Sequence, residues 1–210
     1  IHSEVLIMKK RYKKHVTKKE TTMTRIKNWS VSILLAGAML WGLQCYSASS
    51  LKFAQVSDVH FYTGENNTTF KMIAESPKLL DDAIDQINST PNVSFVMFTG
   101  DQIDKSFEKE LSAFLPHTTK LNAPWYFAFG NHDTCIGGYL TPALYMQLVN
   151  EYNKNYKFEK SYYSFVPQKG YKAIVLDTII RDRLTSNGRL GEQQLAWLDN
   201  ELSNSKKDTV

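Results

Sequence analysis

Three short segments of this sequence carry side chains that can bind metal ions, and each segment follows a run of apolar residues. The segments are Ser57-Asp58-Val59-His60, Gly100-Asp101-Gln102-Ile103-Asp104 and Gly130-Asn131-His132-Asp133. Their donor atoms are carboxylate oxygens, imidazole nitrogens and an amide oxygen, a mixture that suits Mn²⁺, Fe or Zn²⁺. A pair of such ions about 3.5–4 Å apart can hold a phosphate group and lower the pKa of a water between them. The residue types therefore point to phosphate-ester chemistry.

The spacing within the segments suits shared coordination. In an extended chain the side chains of Asp58 and His60 leave on the same face, so both can contact one ion. Asp101 has two carboxylate oxygens and can bridge two ions, and Asn131 offers a neutral carbonyl oxygen. The preceding glycines allow the backbone to turn sharply and to approach closely. We therefore expect these residues to form one site.

The elements that must position this site are short strands alternating with helices. The apolar runs have the length of strands and lie at residues 51–57, 93–99, 124–129, 162–167 and 172–178. Helices are predicted to begin at Ser76-Pro77 and at Thr141-Pro142. A third covers "GEQQLAWLDNEL" and places Leu195, Leu198 and Leu202 on one side. This alternation indicates an α/β fold with mainly parallel pairing, in which the carboxyl ends of the strands meet at one edge.

In this order, the motifs D-x-H, G-D-x-x-D and G-N-H-D resemble those of the calcineurin-like metallophosphoesterase superfamily. The resemblance covers residues 51–210. It includes "GRLGEQQLAWLDNEL", which is similar to a G-x-L…Q-x-x-W-L segment of the single-domain phosphodiesterase and phosphatase branch. It implies an α/β layered sandwich of two mainly parallel or mixed sheets flanked by helices, incomplete at the C-terminus.

The resemblance also implies a role for each residue. Asp58 and His60 would bind the first divalent metal ion, and Asn131 would bind the second. Asp101 would bridge the two ions, which would be Mn, Fe or Zn. His132 would act as the general acid and Asp104 would orient it. The implied reaction is hydrolysis of a small phosphomonoester or phosphodiester by a metal-bridging hydroxide.

Two positions, Asp104 and Asp133, indicate which branches of the superfamily the sequence resembles less. Purple acid phosphatases have Tyr at the position of Asp104, and serine/threonine phosphatases and 5′-nucleotidases usually have Glu at the position of Asp133. The resemblance therefore favours enzymes that act on phosphomonoesters, cyclic nucleotides or nucleoside diphosphate compounds.

The histidine count departs from the family pattern. Family members add a later His and a G-H-x-H segment to the metal cage, but here the histidines lie at 2, 15, 60, 117 and 132. We therefore expect that the parent enzyme continues past Val210 and that these 210 residues bind metal poorly. The alternative is a catalytically incomplete remnant or a non-catalytic, membrane-tethered binding domain. His117 is predicted to be a surface loop residue without a role.

The N-terminal segment 1–49 has the pattern of a basic leader and signal peptide. Residues 1–29 hold nine Lys and Arg against two Glu, and an uncharged apolar run follows at 30–43. That run is shorter than the roughly 20 residues of a membrane span, so export to the periplasm or the exterior is predicted, with a retained membrane anchor as the alternative. Met23 is a natural start for such a leader.

The charge outside the leader argues against a nucleic-acid partner. The whole chain has a formal charge of +4, and residues 1–29 account for +7, which leaves the domain at −3. A mildly acidic domain gives no support for a nucleic-acid groove.

The loop 61–72 follows His60 in the chain. It either contacts substrate through Tyr62 or Asn66 or forms only the rim of the site.

Overall fold

The computed structural model of the protein describes residues 50–68, 71–183, 185, 187–205 and 209–210. The predicted leader at 1–49 lies outside these residues. Within the described part of the chain, no helix has both the length and the apolar character needed to cross a membrane.

A parallel three-stranded sheet forms the centre of the fold. It contains β1 (Phe53–Val56), β2 (Phe95–Thr99) and β3 (Trp125–Ala128), in the order β1-β2-β3. Phe53 pairs with Phe95, and Val96 pairs with Trp125. All three strands run in the same direction, so their carboxyl ends meet at one edge, which confirms the predicted α/β class.

Helices follow each of these strands. A 3₁₀ turn (Ile73–Glu75) and α1 (Ser76–Ser89) lie between β1 and β2, α2 (Glu108–Thr118) lies between β2 and β3, and the short α3 (Asn131–Thr134) and α4 (Pro142–Tyr152) follow β3. Both predicted starts are close to those observed, and the Thr141 side chain caps α4 by accepting from the N–H of Leu144 at 3.2 Å. The sequence analysis did not identify α2, although it buries Leu111, Phe114 and Leu115.

His117 lies in the last turn of α2 rather than in a surface loop. Its Nδ1 is 2.7 Å from Asp81 Oδ1 of α1, and its ring meets the edge of Phe61 at a centroid distance of 5.1 Å. Asp81 also pairs with Lys120 at 2.7 Å. His117 therefore links α1 and α2, because an imidazole can donate to a carboxylate and pack against an aromatic ring together.

A second sheet consists of the antiparallel strands β4 (Tyr163–Gln168) and β5 (Tyr171–Val175). The Tyr163 hydroxyl donates to the carbonyl of Phe127 at 2.5 Å and accepts from its N–H at 3.0 Å, so β4 is attached directly to β3. The ring of Phe165 also stacks on Tyr126 with centroids 3.5 Å apart.

The last described helix, α5 (Glu192–Ser203), does not bury its leucine stripe. Leu195 and Leu202 are 46% and 57% exposed, whereas Gln194 is buried and exchanges two hydrogen bonds with the backbone of Asp177. The buried contact of this helix is therefore polar, which a pattern of apolar residues does not reveal.

Candidate metal centre

The backbone at the strand ends adopts an uncommon conformation that brings the predicted ligands together. Hydrogen bonding between the β1 and β2 segments continues past both strands, from Asp58 N to Gly100 O at 3.1 Å and from His60 N to Asp101 O at 2.9 Å. Asp58, His60 and Asp101 have φ values of 55°, 45° and 53°. Left-handed backbone costs a non-glycine residue about 1–2 kcal/mol. Among the described non-glycine residues only Asn92 shares it, so this strain is concentrated at the candidate site.

Three side chains converge at this edge of the sheet. His60, Asp101 and His132 each offer a ligand atom, and these atoms all lie within 4.8 Å of one another. His60 Nε2 is 3.8 Å from Asp101 Oδ2, and the two imidazole rings meet edge to face at 4.5 Å. Two imidazoles and a carboxylate suit a divalent transition metal, so the chemistry of the donor set fits such an ion.

The remaining predicted ligands are Asp58, which lies beside this cluster, and Asn131, which precedes His132 in the chain. Asp58 Oδ1 is 3.9 Å from His60 Nε2, and its side chain is 63% exposed. Its second oxygen accepts a short hydrogen bond from the Ser57 hydroxyl. Asn131 is the first residue of α3 and is half-buried, directly beside His132.

The backbone, rather than a carboxylate, holds the ring of His132. His132 Nδ1 is 2.5 Å from the carbonyl oxygen of Asp104. Since a carbonyl can only accept, Nδ1 is the donor, and Nε2 is the nitrogen left for substrate or metal. The Asp104 carboxylate instead lies 3.3 Å from Nδ1 of His60. The expected contact between Asp104 and His132 is therefore present, but it uses the main chain of Asp104.

The surroundings of His60 favour its neutral form. Burial lowers the pKa of His60, and the nearby Lys71 ammonium and His132 lower it further, while Asp101 and Asp104 act in the opposite direction. A neutral imidazole is the form that ligates metal, so the direction of this shift favours the form of His60 that metal coordination requires.

Asp133 joins the second and third strand-end loops, a role that the sequence analysis did not assign. Its carboxylate is fully buried and accepts from four backbone N–H groups. These belong to Gly130 (2.7 Å), Asp101 (3.0 Å), Gln102 (2.8 Å) and Ile103 (3.3 Å). Burial raises the pKa of Asp133 and the nearby Asp101 carboxylate raises it further, while the N–H groups of Gly130, Ile103 and Gln102 oppose this because they stabilise the ionised carboxylate. Asp133 thus fixes Asp101 relative to α3.

Gly130 allows the two loops to approach. A Cβ atom at this position would lie 2.1 Å from Asp101 Oδ1 and 2.2 Å from Asp101 N, distances at which the loops must separate.

We expect Gly130→Ala to lower the free energy of unfolding by about 2–3 kcal/mol, because the added methyl group overpacks a backbone contact. Chemical denaturation would measure this loss. Gly191→Ala is the matched control, since a Cβ there meets nothing within 4 Å. Equal stabilities of the two variants would contradict the close approach.

The loop after β1 is anchored over the site, and it brings in a residue that the sequence analysis missed. Glu110 of α2 is buried and accepts from the N–H of Thr63 at 2.8 Å and from its hydroxyl at 2.9 Å. The Ser76 hydroxyl accepts from the N–H of Tyr62 at 3.0 Å. The loop thereby places Lys71 against His60, with Nζ 3.2 Å from each ring nitrogen. No spacing rule predicts such a contact, because the loop conformation depends on α2.

Comparison with known proteins identifies the family of this chain. A profile of the calcineurin-like phosphoesterase family matches residues 51–209, which is the whole region that carries the fold and the cluster. The chain belongs to this family. Its predicted superfamily is therefore confirmed.

Individual proteins that match this chain share little sequence identity with it. Rat tartrate-resistant acid phosphatase type 5 is 24% identical over 185 residues, covering 78% of this chain and 54% of the relative. The rabbit protein of the same name is 24% identical over 87% of this chain and 61% of its own length. A protein from Arcobacter nitrofigilis named "Probable glycerophosphodiester phosphodiesterase GpdQ" is 28% identical over 71% of this chain and 50% of its own length. The chain thus spans about half the length of the curated relatives it matches.

Proposed function

We propose that this protein is a metal-dependent phosphoesterase that hydrolyses a phosphomonoester or a phosphodiester. The observation that carries the proposal is the cluster of His60, Asp101 and His132 at the carboxyl ends of neighbouring parallel strands. Ligands bind at this edge of open α/β sheets. The names of the relatives support both ester classes, since one includes "acid phosphatase" and another "phosphodiesterase".

In this proposal a pair of divalent ions, Mn, Fe or Zn, is held by Asp58, His60, Asp101 and Asn131. When bound, such ions stabilise charge on the phosphate and make water a stronger nucleophile at neutral pH. The chain itself supplies their positions. Asp101 is held by its own N–H bond to Asp133 and by the N–H of His132, which donates to Asp101 Oδ1 at 3.0 Å. Its second oxygen remains directed towards His60.

His132 is the proposed proton donor to the leaving group. The Asp104 carbonyl fixes the tautomer of the ring, so Nε2 is the atom that exchanges a proton with the ester oxygen. Because the backbone of His132 also bonds to Asp101, the ring is positioned relative to the phosphate-binding residues. The pattern of the N-terminal segment supports export as the setting for this activity.

The test is metal-dependent hydrolysis by the full-length protein. We expect the chelated protein to be inactive on p-nitrophenyl phosphate and bis(p-nitrophenyl) phosphate and to recover on addition of Mn²⁺, Zn²⁺ or Fe. Asp101→Asn should bind less metal and should not recover. A folded protein that neither takes up metal nor cleaves either ester would favour the binding-domain alternative.

A further inference from the structure

A cavity of about 360 Å³ lies beside the candidate metal centre. The loop after β1 and the start of α1 form its walls. Its polar lining comes from Asp58, His60 and Lys71, and its apolar lining from Val59, Met72, Ile73 and Leu79. Met72 and Leu79 are 65% and 40% exposed, so a substantial apolar surface faces solvent next to a polar site. Apolar surface in such a position is characteristic of a ligand-binding wall.

Lys71 is the cation of this cavity. Its Nζ is 3.2 Å from both ring nitrogens of His60 and 3.5 Å from Asp104 Oδ1, while its side chain remains 38% exposed. Its backbone N–H donates to the Thr68 hydroxyl at 2.9 Å, which fixes where the side chain begins. The ammonium therefore lies at the boundary between the cavity and the candidate ligands.

The ammonium and a divalent ion cannot both stay in contact with His60, because like charges a few ångströms apart repel strongly in a half-buried site. The flexible stem of lysine allows the ammonium to turn away from His60 into the cavity that Lys71 already lines. By this turn the ammonium leaves Asp104, and Asp58, the other charged group of the lining, is assigned to a metal ion in the proposed function, so the partner of opposite charge must come from the ligand. The cavity is therefore suited to an anion that has an apolar substituent.

We propose that this cavity binds the ester group of the substrate. Lys71 pairs with a phosphate oxygen, and Val59, Met72 and Leu79 contact the organic group. This assignment rests on the proposed phosphoesterase function, which places the phosphate next to His60 and Asp101. It specifies the substrate class as phosphate esters of apolar or aromatic alcohols, in preference to esters of polyols such as glycerol.

The experiment compares two phosphonates that the enzyme cannot hydrolyse, phenylphosphonate and methylphosphonate. Calorimetry would measure their binding to the Mn²⁺-loaded full-length protein. We expect the wild type to bind phenylphosphonate about tenfold more tightly, from the apolar area that the ring buries. Lys71→Met should weaken both ligands by about tenfold or more, because it removes a charge-assisted contact. Met72→Ser should reduce only the preference for the phenyl group.

Lys78→Met is the matched control, since Lys78 is an exposed lysine of α1 that pairs with Asp82 at 2.8 Å. Binding by Lys71→Met that equals binding by Lys78→Met overturns the proposal, and so does a wild type that binds both phosphonates equally. The metal content of the same samples distinguishes failure of the cavity assignment from failure of the proposed phosphoesterase function. Manganese-loaded protein with either result overturns the cavity assignment alone. Protein that takes up neither manganese nor, in parallel loadings, zinc or iron overturns the proposed function and this assignment with it.

Discussion

Asp133→Asn is expected to lower the free energy of unfolding by about 3–5 kcal/mol, because it disrupts a buried group on which four backbone donors depend. Oδ2 accepts from Gly130 and Asp101, and Oδ1 accepts from Gln102 and Ile103. Whichever way an asparagine amide is turned, its NH₂ group faces two N–H donors and leaves both without an acceptor. The substitution preserves shape but replaces one of the two acceptor oxygens with a donor group.

The same substitution should reduce metal affinity, since Asp133 holds the backbone of Asp101 in its left-handed conformation. Chemical denaturation and a metal titration would measure the two effects. Asp199→Asn is the matched control, because Asp199 is exposed on α5 and its replacement should change stability by less than about 0.5 kcal/mol. If Asp133→Asn were as stable as Asp199→Asn, the carboxylate would not be what joins the two loops.

The convergence of the candidate ligands was predictable because it depends on the strands. The runs that became β1, β2 and β3 are apolar almost throughout, as buried parallel strands are. Parallel pairing then requires Asp58, Asp101 and Asn131 to lie at the same edge of the sheet, because each follows the carboxyl end of a strand. To predict that these residues converge, it is enough to know where the strands end, and the apolar runs of the sequence indicate those ends well.

The detailed contacts were not predictable because they depend on backbone angles and on a helix with an ambiguous pattern. The left-handed turn at Asp101 directs the chain so that the Asp104 carbonyl, rather than its carboxylate, meets His132. The segment that became α2 contains Pro116 and buries Glu110, two features that weaken a helical pattern. Without α2 there is no anchor for Thr63, and therefore no basis for placing Lys71.

His132→Ala is expected to lower the rate of hydrolysis by about 10²–10⁴-fold, the usual contribution of a positioned proton donor. The effect should depend on the leaving group. An alkoxide needs a proton as it departs, whereas p-nitrophenolate is stable without one, so the variant should lose far more activity on an alkyl phosphate ester than on a p-nitrophenyl ester. Steady-state rates on the two esters would give this comparison.

His117→Ala is the control for removing an imidazole elsewhere. It breaks the contacts with Asp81 and Phe61 and should cost about 1 kcal/mol of stability while leaving hydrolysis by the folded protein unchanged. A metal titration of His132→Ala completes the test, because the three-residue cluster also allows His132 to act as a ligand. Unchanged metal affinity with a loss confined to the alkyl ester identifies a proton donor. An equal loss on both esters, accompanied by weaker metal binding, would instead identify a ligand and would contradict the acid role.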